Sequence, residues 1–186
     1  MPRLPSCLLL ACLLLAAAPL PAASPLPTSG SAALDFTRQP RPGLYSAGQP
    51  SAVQLAQARA AGVVTVIDLR AADEDRGFDE PARAAALGLR YLALPVAGTD
   101  GVSVDAARQL HALLAASDGP VLLHCASGNR AGALLALAAA HVEGADNATA
   151  LELGRAAGLG SLAARVEQLL PAGQAATASS NDEARR

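Results

Sequence analysis

The chain has 186 residues, a net charge of −2 and a composition that is 52% hydrophobic but only 2% aromatic. This balance, without a basic cluster, argues against nucleic acid or an anionic membrane surface as the main partner. The length suits a single domain, and because aromatic residues are so scarce, alanine, leucine and valine must build its core.

The first 23 residues have the pattern of a secretory signal peptide. Arg3 precedes an apolar run over 7–18, and small residues and prolines follow it. The run is too short to remain as a membrane anchor. We therefore expect a periplasmic or secreted protein, without an anchor, after cleavage between Ala18 and Ser24. A lipoprotein is the alternative, since the residues before Cys12 resemble a lipobox, although the apolar run continues past it.

Flexible segments are expected at both ends of the mature chain. Residues 24–42 are rich in proline, serine and glycine, which is typical of a flexible leader. Residues 172–186 are mostly small or polar and indicate a disordered tail. The folded domain is therefore predicted over 43–171.

Between those ends, apolar runs of strand length alternate with helical patterns. The run VVTVIDL over 63–69 is rich in β-branched residues and suits a buried parallel strand. Ser51 and Ser103 are placed to cap helices, and Asp79 starts another. The predicted elements, in chain order, are an edge strand over 43–46, a helix over 51–61, a strand over 63–69, a helix over 79–88, a strand over 90–94, a helix over 103–116, a strand over 121–124, a helix over 130–142 and short helices near 147–157 and 160–170.

This alternation predicts an α/β fold, in which a single domain has a mostly parallel central sheet flanked by helices. In such sheets, ligands bind beyond the carboxyl ends of the strands. The segment that follows the predicted strand over 121–124 lies at such a position. We therefore expect the functional site there.

Cys125 begins that segment. Of three cysteines in the chain, Cys7 and Cys12 lie in the predicted signal peptide, so Cys125 is the only one expected in the mature protein. Cysteines usually pair in an oxidising compartment. An unpaired one is either a buried small hydrophobe or a working thiol.

The Cys loop, residues 125–130, joins the predicted strand to a helix. Such a loop turns its backbone N–H groups and the helix N-terminus towards one point, where an anion is stabilised. Arg130 adds a planar fork of donors that matches phosphate or sulfur oxyanions, and the same positive field favours the thiolate of Cys125. Gly128 suits the tight turn. The predicted anion ligands are Ala126, Ser127, Gly128, Asn129 and Arg130.

Several short segments carry a family resemblance: HCASGNRAGAL at 124–134, YSAGQPS at 45–51, VIDLR at 66–70, YLALPV at 91–96 and GRAAGL at 154–159. Together they resemble the bacterial beta-lactamase-hydrolase-like, phosphatase-like family, a divergent branch related to the dual-specificity and tyrosine phosphatases. The resemblance implies a phosphatase-like fold and a phosphorylated substrate of unknown kind. It also implies that Cys125 is the nucleophile that forms a phosphocysteine, that Arg130 binds the phosphate, and that His124 is a supporting neighbour that helps to set the thiolate.

Two departures from the tyrosine-phosphatase signature keep other functions open. Only four residues separate Cys125 from Arg130, where that signature has five, and Ala131 stands where it has serine or threonine. The shorter loop resembles that of rhodaneses, so a sulfurtransferase that carries a persulfide on Cys125 is one alternative. Against it, the segment after 66–70 lacks the Gly-His-Ile element of that family. A non-catalytic anion-binding module is a second alternative, and a buried cysteine near an ordinary surface arginine is a third.

A phosphocysteine mechanism needs a group that protonates the leaving oxygen and then activates water. By resemblance, an aspartate on a loop upstream of the cysteine takes this role, and Asp100 lies on the suitable loop, 95–101. Asp105 is the runner-up, but it falls in the first turn of a helix, where acidic residues interact with the dipole. Asp68 ends a strand near the site and is expected to pair with Arg70.

No metal or organic cofactor is predicted. His124 and Cys125 are adjacent, so their side chains alternate in direction, and no metal-ligand spacing surrounds them. Asn147 is expected to cap a helix, and Arg155 is expected to be a solvated helical residue. Four acidic residues are predicted to be solvated loop or helix-start charges: Glu74, Asp75, Asp79 and Glu80.

Overall fold

Strands and helices alternate through residues 34–172, the part of the chain that the computed structural model describes. The predicted signal peptide and the predicted tail beyond residue 172 lie outside this range. The elements are β1 (Thr37–Arg41), β2 (Leu44–Ala47), α1 (Ala52–Ala60), β3 (Thr65–Asp68), α2 (Glu80–Ala86), β4 (Arg90–Ala93), α3 (Val104–Ala115), β5 (Val121–His124), α4 (Asn129–His141), α5 (Asn147–Ala156) and α6 (Ala163–Leu169).

The central sheet is mixed but mostly parallel. Its strands lie in the order β1-β2-β5-β3-β4, with β1 antiparallel to β2 and every other neighbouring pair parallel. Helices connect the parallel strands, as such crossovers require. The predicted fold class, a single α/β domain with a mostly parallel sheet flanked by helices, is confirmed.

Helices cover both faces of this sheet. Side chains alternate along a strand, so neighbouring residues point to opposite faces. Leu122 lies in an apolar cluster with residues of α1 and α2, whereas Leu123 lies in another with residues of α3 and α4. Every residue of α4 from Ala131 to Ala140 is buried, which makes it the central helix of the domain. No helix within 34–172 has both the length and the apolar character that a membrane crossing demands.

The sheet begins earlier than the composition predicts. β1 lies inside the segment 24–42, so the expectation of a flexible leader was wrong for Thr37–Arg41. The expectation that 43–46 forms an edge strand was also wrong, because β2 is buried between β1 and β5. Pro40 and its polar neighbours are not typical of a strand, so the composition does not predict β1. Proline is nevertheless tolerated there, because β1 is an edge strand.

Three side chains begin helices as predicted. Ser51, Asp79 and Ser103 accept hydrogen bonds from backbone N–H groups in the first turns of α1, α2 and α3. Asn147 is instead the first residue of α5, and Asp146 is its cap, accepting a backbone N–H at 2.9 Å. The cap prediction was wrong by one residue, because aspartate and asparagine are equally good caps and stand side by side here.

Candidate active site

The Cys loop begins where β5 ends and closes into the first turn of α4. Gly128 immediately precedes that helix, with a φ of 88° that residues with side chains rarely adopt. The turn directs the Gly128 N–H at the Cys125 sulfur, 3.1 Å away. The sulfur itself is fully buried. At this position, then, a backbone donor of the loop faces inward, towards the cysteine.

The segment after β2 supports the Cys loop from the side. The Gln49 N–H donates to the carbonyl oxygen of Ala126 at 3.1 Å, and Gly48 pairs with Ser127. A Cβ at Gly48 would lie 2.9 Å from that same carbonyl oxygen. Glycine therefore allows the two backbones to approach this closely.

Arg130 directs both of its terminal nitrogens at one carboxylate. Nη1 donates to Glu74 Oε1 at 2.6 Å and to the Val96 carbonyl oxygen at 2.8 Å, and Nη2 donates to Glu74 Oε2 at 2.7 Å. The prediction that Glu74 is a solvated loop charge was therefore wrong. Residue spacing carries no sign that the loop after β3 folds over the start of α4.

This pairing leaves one edge of the guanidinium available. A guanidinium has five N–H donors, and the bonds to Glu74 and Val96 use three of them. The other two, one on Nε and one on Nη2, form a side-on fork of the kind that binds phosphate. The pKa of Arg130 is raised, chiefly by the hydrogen bonds to Glu74 and, against the opposing effect of burial, also by the Cys125 sulfur. The guanidinium is thus close to the sulfur as well as to Glu74.

Glu74 acts here as a fixed negative charge. Hydrogen bonds from Arg130 lower its pKa to about 2, although partial burial alone would raise it. A carboxyl group with such a pKa is ionised at neutral pH and does not hold a proton to give to a leaving group. Glu74 is therefore unsuited to act as a general acid.

An open cavity of about 440 Å³ lies over the Cys loop. Ser127, Asn129 and Arg130 form part of its wall, and Asp73 and Glu74 face them. The rest of the wall consists of uncharged residues from neighbouring loops: Ala71, Ala97, Gly98, Thr99, Ser161 and Leu162. Because the cysteine is buried and does not line the cavity, an entering anion meets the arginine before it meets the sulfur.

Asn129, one of the predicted anion ligands, uses its side chain to fix the cavity wall. Its Oδ1 accepts the Gly160 N–H at 2.9 Å and lies 3.4 Å from the Leu162 N–H, while its Nδ2 donates to Ser161 Oγ at 2.7 Å. The side chain thus joins the start of α4 to the turn before α6. Its backbone N–H, in the first turn of α4, is directed by the helix and is the donor expected to face a bound anion.

Asp100 lies beside the cavity but not in its wall. It is exposed on a turn, whereas the residue before it, Thr99, lines the cavity. Asp73 does line the cavity, and sequence reasoning missed it. The available signal was its place in the loop after a central parallel strand, because ligands bind beyond such strand ends. Asp105, the second candidate for the general acid, lies in the first turn of α3, where its carboxylate accepts a hydrogen bond from Arg108.

His124 lies behind the Cys loop, among buried carboxylates. Its Nε2 is 2.9 Å from Glu80 Oε1 and its Nδ1 is 3.9 Å from Asp68 Oδ1. All three side chains are fully buried. The prediction that Glu80 is a solvated helix-start charge was wrong, because the first turn of α2 faces the sheet and not the solvent.

Asp68 binds a different arginine from the one expected. Its Oδ2 forms an ion pair with Arg76 at 2.7 Å and accepts the Tyr91 hydroxyl at 2.7 Å, while its Oδ1 accepts only the backbone N–H of Arg70. The predicted pairing with the Arg70 side chain was therefore wrong. Burial would raise the pKa of Asp68, but His124 and these hydrogen bonds outweigh it and lower the pKa.

The same cluster offers three ligand atoms within 4.8 Å of one another, from Asp68, Glu80 and His124. The arrangement does not suit a metal ion. Both Asp68 oxygens already accept hydrogen bonds, and the two carboxylates approach different nitrogens of the imidazole. The cluster is better described as a buried network of charged and polar groups.

Comparisons with known proteins identify the family and the fold. The family model described as beta-lactamase hydrolase-like protein, phosphatase-like domain, matches residues 37–142. A search of curated proteins gave no match. Among solved structures, a candidate phosphatase from Neisseria meningitidis is 23% identical over 71% of this chain and 94% of its own, with a TM-score of 0.61, and shares the fold.

TpbA from P. aeruginosa is similar at a higher identity. Its structure is 29% identical over 69% of this chain and 81% of its own, with a TM-score of 0.51. A cysteine-to-serine variant of TpbA, solved in complex with phosphotyrosine, is 26% identical over 74% of this chain and 84% of its own, with a TM-score of 0.52.

Proposed function

Because the chain belongs to the phosphatase-like domain family of beta-lactamase hydrolase-like proteins, we propose that it is a cysteine-dependent phosphatase that hydrolyses phosphomonoesters through a phosphocysteine. One observation carries the proposal: the buried Cys125 sulfur accepts the Gly128 N–H at the start of α4 and lies near the Arg130 guanidinium. A nucleophile and two kinds of oxyanion donor thus converge beneath one cavity. The complex of TpbA with phosphotyrosine supports a phosphorylated substrate.

In the proposed reaction, the side-on edge of Arg130 and the amides of the Cys loop bind the phosphate. The Cys125 thiolate attacks phosphorus, the bond from phosphorus to the ester oxygen breaks, and that oxygen leaves with a proton from an aspartate. Water then attacks the phosphocysteine, gives a proton to the same aspartate, and releases phosphate and thiolate. Because the sulfur is buried in the structure, the floor of the cavity must shift when the phosphate binds.

Two aspartates compete for the role of general acid. Asp100 is favoured by the family resemblance, and Asp73 by its place in the cavity wall. The predicted cleavage of the first 23 residues places the reaction in the periplasm or outside the cell, and we keep that localisation as part of the proposal.

The substrate proposal is a phosphomonoester without a required aromatic group. The residues that line the cavity in the described part of the chain include no phenylalanine or tyrosine. Without an aromatic neighbour, the cavity cannot select an aryl phosphate by stacking. We therefore expect both aryl and alkyl phosphates to be hydrolysed.

Replacement of the nucleophile tests the proposal. Cys125→Ser should lower the rate of phosphate release from p-nitrophenyl phosphate by about 10³-fold or more, as is usual when a covalent nucleophile is lost. The same preparations should be incubated with thiosulfate and examined by intact mass and by thiocyanate production with cyanide. A gain of one sulfur atom together with thiocyanate, without phosphate release, would favour the sulfurtransferase and contradict the phosphatase.

A further inference from the structure

A chain of polar side chains, unused in the reaction above, runs behind the Cys loop. It begins at His124, whose Nε2 lies 2.9 Å from Glu80 Oε1. The other oxygen of Glu80 accepts a hydrogen bond from Gln49 Nε2 at 2.9 Å. The amide oxygen of Gln49 in turn accepts a hydrogen bond from Arg70 Nη1. Three polar links thus lead from the residue before Cys125 to a buried arginine.

The chain continues from that arginine to the proposed phosphate ligand. Arg70 is 6% exposed, and its Nε lies 3.4 Å from Glu74 Oε2. Glu74 is the carboxylate that holds both terminal nitrogens of Arg130. The path from His124 to Arg130 is therefore continuous, with two carboxylates, Glu80 and Glu74, joined through Gln49 and Arg70.

Among these polar side chains, Glu80 is the one whose burial depends most on its polar partners. A carboxylate that is fully buried is strongly destabilising unless it is paired and hydrogen-bonded. Its two partners flank the nucleophile, since His124 precedes Cys125 and the backbone of Gln49 donates to Ala126. Glu80 thereby holds the backbone on both sides of the sulfur.

We propose that Glu80, together with Gln49 and Arg70, is a positioning residue that fixes the Cys loop and Arg130 in one arrangement for phosphate binding. The inference rests on the proposed function only in that the arrangement serves a phosphate site. Supporting residues of this kind hold the groups that touch a ligand to within a fraction of an ångström. Because they share partners, the loss of one link loosens the next.

The first test measures inorganic phosphate binding to the full-length protein by calorimetry. Glu80→Gln keeps the shape of the side chain but removes its charge, and should weaken phosphate binding about tenfold or more, the usual effect of losing a supporting partner. Glu152→Gln, an exposed glutamate on α5, is the matched control and should bind phosphate as the wild type does. Wild-type affinity in Glu80→Gln would overturn the inference.

A double-mutant cycle tests whether the links act as one chain. Arg70→Gln should also weaken phosphate binding about tenfold. Glu80 and Arg70 hold opposite ends of the Gln49 amide, so the second substitution removes a link that the first has already loosened. In the double variant Glu80→Gln/Arg70→Gln, the loss should therefore stay near that of one single variant and not reach the roughly hundredfold product expected of independent sites. A loss of phosphate affinity in the double variant equal to the product of the two single losses would contradict a shared path.

Urea unfolding separates positioning from a general loss of stability. Bound phosphate stabilises the folded protein by an amount that increases with its affinity, so the same saturating phosphate concentration should raise the urea midpoint of the wild type by more than that of Glu80→Gln. An equal rise in both proteins would contradict the positioning role. If Glu80→Gln fails to fold, Gln49→Ala replaces it, since it breaks the same path without removing a charge, and it should also bind phosphate about tenfold more weakly.

Failure of the inference and failure of the proposed function give different results. A wild-type protein that binds phosphate with the expected coupling, but releases none from esters, would contradict the phosphatase and uphold the positioning role. Hydrolysis and phosphate binding that are equal in the wild type, Glu80→Gln and Gln49→Ala would overturn the positioning role alone. A wild type that binds no phosphate would overturn both.

Discussion

The guanidinium of Arg130 can serve the fold and a ligand together because it has two usable edges. Glu74 and the Val96 carbonyl take the terminal edge, which ties the loops after β3 and β4 to the start of α4. The side-on edge is the one proposed to bind phosphate. Lysine could not replace it, because an ammonium group is a compact charge without separate edges.

Two single substitutions decide which aspartate donates the proton. If Asp73 is the acid, Asp73→Asn should lower kcat for an alkyl phosphate about 10²–10⁴-fold, with a smaller loss for p-nitrophenyl phosphate, whose leaving oxygen needs little protonation. Asp100→Asn should then behave as the wild type, because Asp100 lies outside the cavity wall. Each variant is the control for the other, and the opposite pattern would assign the role to Asp100. Equal activity of both variants on both esters would remove both residues from the mechanism.

At the residue scale, sequence reasoning found the candidate nucleophile and its arginine but missed their partners. Cys125 and Arg130 are adjacent in the chain to a strand end and a helix start, so local patterns place them. Glu74 and Glu80 were misjudged, because their partners are distant in the chain: Glu74 contacts Arg130, 56 residues away, and Glu80 contacts Gln49, 31 residues away. Hydrophobic periodicity carries no information about which acidic loop residue is turned inward.

At the scale of elements, the contact between α4 and the end of α5 controls where the Cys loop lies. A Cβ at Gly132 would lie 2.2 Å from the Leu159 nitrogen and 2.5 Å from the Gly154 carbonyl oxygen. These are backbone atoms, so the clash cannot be relieved by a change of rotamer. The first turn of α4 therefore approaches the end of α5 more closely than any side chain permits.

Gly132→Ala should destabilise the protein by at least about 1–3 kcal/mol, the usual range for overpacking a dense core. Because the displaced turn carries Arg130, phosphatase activity should fall as well. Urea unfolding measures the first effect and steady-state kinetics the second. Gly160→Ala is the control, since its methyl group would meet nothing nearer than 3.9 Å. Wild-type stability in Gly132→Ala would contradict the packing described here.

The predicted boundaries of strands and helices were accurate where the residues at the boundary have a clear local preference. β5 was predicted without error, because a short apolar run ends at a glycine-containing turn, and Ser51 and Ser103 mark helix starts by side chains that can accept a backbone N–H. β1 was missed, because a polar edge strand gains its stability from pairing with β2 and not from its own composition.

At the scale of the whole molecule, the site lies where three parallel strands end together. β2, β3 and β5 are neighbours, and the loops that follow them contribute Gln49, Glu74 and the Cys loop. The alternation of strands and helices predicts a candidate site at this edge of the sheet, because ligands in parallel sheets bind beyond the carboxyl ends of the strands. The strand order, which makes these loops adjacent, comes from tertiary pairing that the pattern alone does not fix.

Mass spectrometry of the rapidly quenched enzyme tests the central claim most directly. Wild-type protein mixed with p-nitrophenyl phosphate and quenched in acid within a turnover should carry one phosphoryl group on the peptide that contains Cys125, and Cys125→Ser should carry none. A phosphoryl group on any other residue, or phosphate release at the wild-type rate from Cys125→Ser, would contradict the account.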